Sequence, residues 1–199
     1  MPIHLPQVRL SVPMLLSLAE WSVFSLYWSA AARHASPAKS AESRPSRRVH
    51  ELLVNLALLL VVFPFPGLAG RQFLPGGPYV ACAGLCIQTA SGVLGVWARR
   101  HLGPYWSGEI AIKADHRLIQ SGPYRFVRHP IYTAMLGMFA GTAVVSGELH
   151  ALLGLAIAVF AYWRKIRLEE ANLQNAFGPA YDAYRRETGS LVPRLLKVV

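Results

Sequence analysis

The chain has 199 residues, of which 53% are hydrophobic and only 15% charged, with a mean hydropathy of +0.33. Soluble domains carry about 25% charged residues, so this composition excludes a disordered chain and argues against an ordinary soluble enzyme. The net charge is +10. A basic balance alone would be compatible with nucleic acid, but here it falls in short blocks between long apolar runs, the pattern of a membrane protein with no nucleic-acid partner.

A bilayer core of about 30 Å takes about 20 helical residues to cross. Five runs are predicted to do so, at 10–32, 52–68, 78–98, 131–147 and 149–163. The expected fold is therefore all-α, a single membrane-embedded domain of five transmembrane helices. Ala30-Ala31-Ala32 resembles a signal-peptidase site, but the first run is longer than a typical signal core and holds Glu20, Trp21 and Trp28, so it is read as a retained span. Glu20 is an intramembrane carboxylate and is left outside the candidate site. Cys82 and Cys86, the only cysteines, lie four apart on one helical face and are read as small core residues. The last two runs are separated by Ser146-Gly147-Glu148 and are predicted to form a tight helical hairpin.

Orientation follows from the basic residues. Segment 33–51 carries Arg33, Lys39, Arg44, Arg47 and Arg48, and segment 99–130 carries Arg99, Arg100, Lys113, Arg117, Arg125 and Arg128. The tail carries Arg164, Lys165, Arg167, Arg185, Arg186, Arg194 and Lys197. Only Arg9 and Arg71 fall elsewhere. With five spans all three basic segments share one side, which places the N-terminus outside and the C-terminus in the cytoplasm. The Ser- and Pro-rich stretch 36–48 reads as a solvated linker. The histidines are scattered with no HxxxH or CxxC spacing, so no metal site is expected.

The cytoplasmic segments 99–130 and 164–199 are richer in polar and aromatic groups than topology requires. They flank the hairpin, so they should meet at one mouth. In Arg128-His129-Pro130-Ile131-Tyr132, proline suits the first helical position and His129 stands at the cap. The helix N-terminus, with Arg128 and His129 beside it, favours an anionic group, and Tyr132 presents a hydroxyl from the first turn. Across the mouth stand Glu169 and Glu170, two carboxylates that are electrostatically unfavourable at a helix C-terminal end unless the helix continues or a cation is bound. If it continues, Lys165, Glu169, Leu173 and Phe177 share a face. Glu170 points about 100° away and is read as a surface partner of Arg167. Gly178-Pro179 should end this helix and start another. Its Tyr181 and Tyr184 either anchor it at the interface or cover a ligand.

The runs His116-Arg117-Leu118-Ile119, Gly122-Pro123-Tyr124 and Arg128-His129-Pro130-Ile131-Tyr132 resemble the isoprenylcysteine carboxyl methyltransferase family of integral-membrane enzymes. So do Glu169-Glu170-Ala171-Asn172-Leu173, Phe177-Gly178 and the pair Tyr181/Tyr184. The resemblance covers about 97–195 and implies a five-span enzyme using S-adenosylmethionine (SAM) at the cytoplasmic face. It implies cofactor contacts at His116, Arg117, Leu118, Ile119, Tyr124, His129, Pro130, Ile131, Tyr132 and Glu169, and positioning by Arg128, His129 and Tyr132 with no nucleophilic side chain. A Gln of the family is Glu109 here, and the family's substrate-contacting Arg is Lys165, with Arg167 nearby to compensate. The implied acceptor is a membrane lipid or lipidated substrate, foremost an isoprenylcysteine-like carboxylate. Glu169 would pair with the SAM ammonium, and the stretch 179–195 would exclude water. The wider superfamily leaves a phospholipid amine, a small thiol and NADPH-dependent reduction as alternatives, and a membrane adaptor is the non-enzymatic one. Ala- and Arg-rich usage points to a prokaryotic plasma membrane.

Overall fold

The computed structural model describes residues 10–33, 40–41, 43–64, 68, 70–103, 106, 111–112 and 118–194. Six α-helices dominate: α1 Val12–Ala32, α2 Arg44–Val62, α3 Pro78–Leu102, α4 Pro130–Ser146, α5 Leu149–Phe177 and α6 Pro179–Glu187. Among the described residues the strand content is one antiparallel pair of two residues each, β1 Ser40–Ala41 with β2 Ala111–Ile112. The all-α expectation holds apart from that pair.

Proline sets most helix starts. It sits at the first or second position of α1, α2, α3, α4 and α6, where its missing N–H costs nothing. The second helix departs from its predicted range of 52–68. It begins at Arg44, because Pro45 nucleates a turn within the basic segment, and stops at Val62, because the residue before Pro64 is driven to extended backbone. Phe63 has φ −108° and ψ 135°. Gly147, at φ +66°, closes α4 and makes the tight hairpin to α5.

The seams show which way each helix runs. Along α2 and α5, Ser46 meets Arg164, His50 meets Ala161 and Leu60 meets His150, so they are antiparallel. Along α3 and α4, Gly84 meets Gly141 and Val145 while Gly95 meets Ala134, again antiparallel. Ser17 reaches Gln88 and Ala31 reaches Arg99, so α1 and α3 are parallel. The C-terminal ends of α1, α3 and α5 and the N-terminal ends of α2 and α4 therefore gather at one end of the bundle, with the basic segments. A cavity of about 820 Å³ opens at the opposite end, between the start of α1, the 70–78 turn and Glu148.

Two helices, α3 and α5, are long and apolar enough to cross a bilayer by length and composition, and α4 is apolar over 17 residues. The outward faces of α1 and α2 carry Val12, Leu15, Val23, Leu26, Leu52 and Leu59 exposed, a surface suited to lipid. Cys82 and Cys86 face outward too, which corrects their reading as core residues: the small residues that α3 turns inward are Gly84, Gly95 and Ala98. Glu20 accepts a hydrogen bond from Thr89 at 2.8 Å, which ties α1 to α3.

Helices in lipid gain little from hydrophobic burial and rely on close packing and interhelical hydrogen bonds. Here α1, α3 and α4 share one buried network. Ser17 donates to Gln88 Oε1 at 2.6 Å, the Gln88 amide donates back to the Ser17 carbonyl at 2.8 Å, and Trp21 Nε1 donates to Thr142 at 2.9 Å. Beside it α3 and α4 touch backbone to backbone, and a Cβ on Gly84 would lie 2.8 Å from the Gly141 carbonyl oxygen. Gly84→Val should therefore force these helices apart and destabilise the protein by about 1–3 kcal/mol, read as a lower Tm in detergent. Gly76→Ala, whose Cβ would meet only the end of the Gln72 side chain at 4.0 Å, should leave Tm unchanged.

Candidate functional site

At 29 residues, α5 is about 43 Å long, longer than a bilayer core, and it carries Glu169 and Glu170 beyond the predicted end of the fifth span. There they meet the start of α4. Tyr132 Oη donates to Glu169 Oε2 at 2.6 Å. Arg128 donates from Nε at 3.0 Å and Nη2 at 2.8 Å to a single oxygen, Glu170 Oε1. The His129 ring lies between the two carboxylates, Nε2 3.3 Å from Glu170 and Nδ1 3.8 Å from Glu169. Tyr132 stacks on His129 at 5.5 Å between ring centroids.

Glu170 is thus part of the site, which corrects its reading as a surface partner of Arg167. Arg167 instead lies with its guanidinium 5.9 Å from the centre of the Trp163 ring, on the exposed side of α5. The two carboxylates differ in setting. The Glu170 side chain is 18% exposed and clamped by Arg128, whereas that of Glu169 is 31% exposed. Burial alone would raise the Glu170 pKa, but hydrogen bonds from His129 and Arg128, and their charges, outweigh it and hold the group at about 2.

The C-terminal stretch completes the clamp. Gly178 breaks the chain between α5 and α6 with φ +49°, and α6 lays Tyr181 and Tyr184 into the protein, both buried. They are packing residues and not exposed interfacial anchors. Burial pushes the Tyr184 hydroxyl up to about 12, and that hydroxyl donates to the Tyr124 carbonyl at 2.6 Å. Residues 188–191 then run across the start of α4. The Arg128 and His129 N–H groups donate to the Gly189 and Ser190 carbonyls at 2.9 and 3.0 Å, Thr133 Oγ1 donates to Leu191 at 2.8 Å, and Arg128 Nη1 donates to Thr188. The Arg128 guanidinium is fully engaged in holding this junction.

Gly122-Pro123-Tyr124 forms a 3-10 turn from Gly122 to Arg125. Gly122 has φ +59° and lies against the His101 ring, which a Cβ would approach to 2.7 Å, so a side chain there would be strained and would have to displace that ring. Tyr124 is buried, and burial, then the Glu169 charge, pushes its hydroxyl pKa up. Pro130 is buried, and Leu118, Ile119 and Ile131 are half-buried. Lys165, buried, stands one turn before Glu169 on α5. Of the expected cofactor residues, His116 and Arg117 lie outside the described residues, as does Glu109. Glu170, Thr188 and Gly189 were not expected: their signal is a set of contacts to Arg128 from far along the chain.

This fold and junction define a helical membrane protein with a polar site shared by the ends of α4 and α5. Residues 83–175 match the model of the isoprenylcysteine carboxyl methyltransferase (ICMT) family. It is 32% identical over 80 residues to a protein-S-isoprenylcysteine O-methyltransferase of Schizosaccharomyces pombe, covering 40% of this chain and 34% of that protein. It is 28% identical over 144 residues to protein-S-isoprenylcysteine O-methyltransferase A of Arabidopsis thaliana, covering 71% of each. It is also 36% identical over 107 residues to the cobalt-zinc-cadmium resistance protein CzcN of Cupriavidus metallidurans, covering 52% of this chain and 48% of that protein. The chain thus spans about a third of the yeast relative and about half of the Cupriavidus one. The solved eukaryotic intramembrane Ras methyltransferase ICMT has the same fold, with a TM-score of 0.61 at 19% identity over 92% of this chain and 68% of that one.

The Glu170 pKa lies below its unfolded value, so its stabilisation is complete above about pH 5 and is lost as pH falls towards 2. Glu170→Gln should cost about 2–3 kcal/mol at pH 7, since it strands the Arg128 charge, and should flatten the loss of stability between pH 5 and 2. Unfolding in detergent as a function of pH measures both. Equal stability of the variant and wild type at pH 7 would show that the clamp contributes nothing.

Proposed function

We propose that the chain is a SAM-dependent methyltransferase that methylates the carboxylate of an isoprenylcysteine-like lipophilic acceptor. In this reading it crosses a prokaryotic plasma membrane five times, with its N-terminus outside and the α4–α5 junction at the cytoplasmic face. Helix direction supports that topology, because the alternation of α1 to α5 collects the basic segments at one end of the bundle. The observation that carries the reading is the Tyr132–Glu169 contact at 2.6 Å: it holds a partly exposed carboxylate where the start of α4 meets α5.

The residues present fit SAM. Glu169 retains an exposed face for an ammonium group, while Glu170 is consumed by Arg128, so one carboxylate binds and the other builds. His116, Arg117, Leu118, Ile119, Tyr124, His129, Pro130, Ile131 and Tyr132 would complete the cofactor site. When bound, SAM supplies an electrophilic methyl group on a sulfonium. The protein's task is then alignment of an in-line displacement, and well-oriented reactants contribute on the order of 7–11 kcal/mol. Lys165 is the cation suited to hold the acceptor carboxylate. Arg167, turned towards Trp163, is the weaker candidate and has a role only if the side chain swings. A carboxylate acceptor is already anionic, so no side chain has to act as nucleophile or base. The 188–191 strap, bonded across the start of α4, would keep water from the reacting pair.

Glu169→Gln and Tyr132→Phe should each weaken SAM binding by about 10–100-fold, the range for losing a charge-assisted hydrogen bond, as measured by calorimetric titration. In a labelled-methyl assay offering prenylcysteine analogues, lipid extract and small thiols, wild type should label the prenylcysteine as an alkali-labile ester. Label confined to lipid amines or thiols, or binding of NADPH without SAM, would overturn the proposal.

A further inference from the structure

His50 stands on α2, outside the segment that matches the family, and just before the apolar stretch predicted to begin at 52. The residue is 8% exposed, and its ring Nδ1 lies 3.3 Å from the Ala161 carbonyl oxygen. A carbonyl only accepts, so Nδ1 carries the proton and the neutral ring keeps its lone pair on Nε2. The ring meets Tyr162 edge-on at 5.3 Å between centroids, Tyr162 lies 5.3 Å from Tyr132, and Tyr132 stacks on His129. Four rings therefore run from the Glu169–Glu170 junction across α5 to α2. Lys165 lies one turn beyond Ala161 on the same face of α5 and is buried. Just beside it, Arg164 donates to Ser46 Oγ at 2.6 Å, which pins the first turn of α2 to α5.

Burial, and next the Lys165 charge, push the pKa of His50 well down. So weak a base cannot take a proton from an amine or a thiol, but it can accept a hydrogen bond from a cation. We propose that His50 is a positioning residue for the acceptor, its Nε2 lone pair facing the Lys165 ammonium and holding that cation on the acceptor side of the Tyr132–Glu169 contact. This rests on the methyl-transfer reading above and adds to it. Lys165 is a point charge on a flexible stem, and His50 supplies the orientation that the stem lacks.

Two readouts on the full chain in detergent test this. The first is 15N NMR of labelled histidine, with the His50 signal assigned by its loss in His50→Gln. The expected result is the Nδ1–H tautomer, with an Nε2 resonance that moves in Lys165→Met; the Nε2–H tautomer or an unmoved signal overturns the proposal whether or not any acceptor turns over. The second is kinetic. His50→Phe keeps the ring packing and should raise the acceptor KM about tenfold with SAM Kd unchanged, while His50→Gln should keep KM within about threefold of wild type. Equal KM values for wild type and His50→Phe, or a matching loss of SAM affinity, overturn the proposal. Failure of wild type to methylate the prenylcysteine analogue overturns the functional reading instead and leaves the NMR result to decide the His50–Lys165 contact.

Discussion

Arg128 has one guanidinium, and it faces two demands. It must neutralise Glu170 on α5 and bond the carbonyls of the strap that returns after α6. Both are met at once, because Nε and Nη2 point to Glu170 while Nη1 points to Thr188. Two parts of the chain, 42 and 60 residues further along, are thereby locked to one side chain. Remove the ion pair, and the α5 end loses its tie to Arg128, leaving Glu169 held by Tyr132 and residues 188–191 held by the Arg128 and His129 N–H groups and Thr133. A lysine would not serve, since it lacks the planar fork that bonds in two directions.

That constraint explains the division of labour between adjacent carboxylates. On a helix, neighbouring residues point about 100° apart, so Glu169 and Glu170 cannot do the same job. Glu170 turns towards Arg128 and His129 and is held ionised. Glu169 turns towards Tyr132 and keeps part of its surface open. The same geometry makes the length of α5 functional. A helix ending near residue 163 would leave both carboxylates in an unordered tail, whereas the helix continues about 10 Å further to Glu170 and presents them rigidly.

Much of this was legible in the sequence where the determinants are local. The hairpin follows from Ser146-Gly147-Glu148, the break from Gly178-Pro179, and the cap of α4 from His129-Pro130. The meeting of segments 99–130 and 164–199 follows from the hairpin itself, and the described arginines of the basic segments fall at the end of the bundle where they meet. What could not be read depends on distant partners. Glu170 has Arg167 as its local neighbour, and only the fold brings Arg128, 42 residues away, into reach. Cys82 and Cys86 share a helical face as expected, but hydropathy cannot tell a lipid-facing side from a core-facing one, since both are apolar. The start of α2 was hidden because Arg44, Arg47 and Arg48 mark it as linker, although Pro45 already favours a helix there. His50 was lost with it.

The ends of α4 and α5 act as one binding element. A double-mutant cycle on SAM affinity, combining Tyr132→Phe with Glu169→Gln, measures this directly. The account predicts a coupling of at least about 1 kcal/mol, so that the double variant binds clearly better than the product of the two single losses would give. Losses that simply multiply, or a wild-type protein that does not bind SAM, would contradict it.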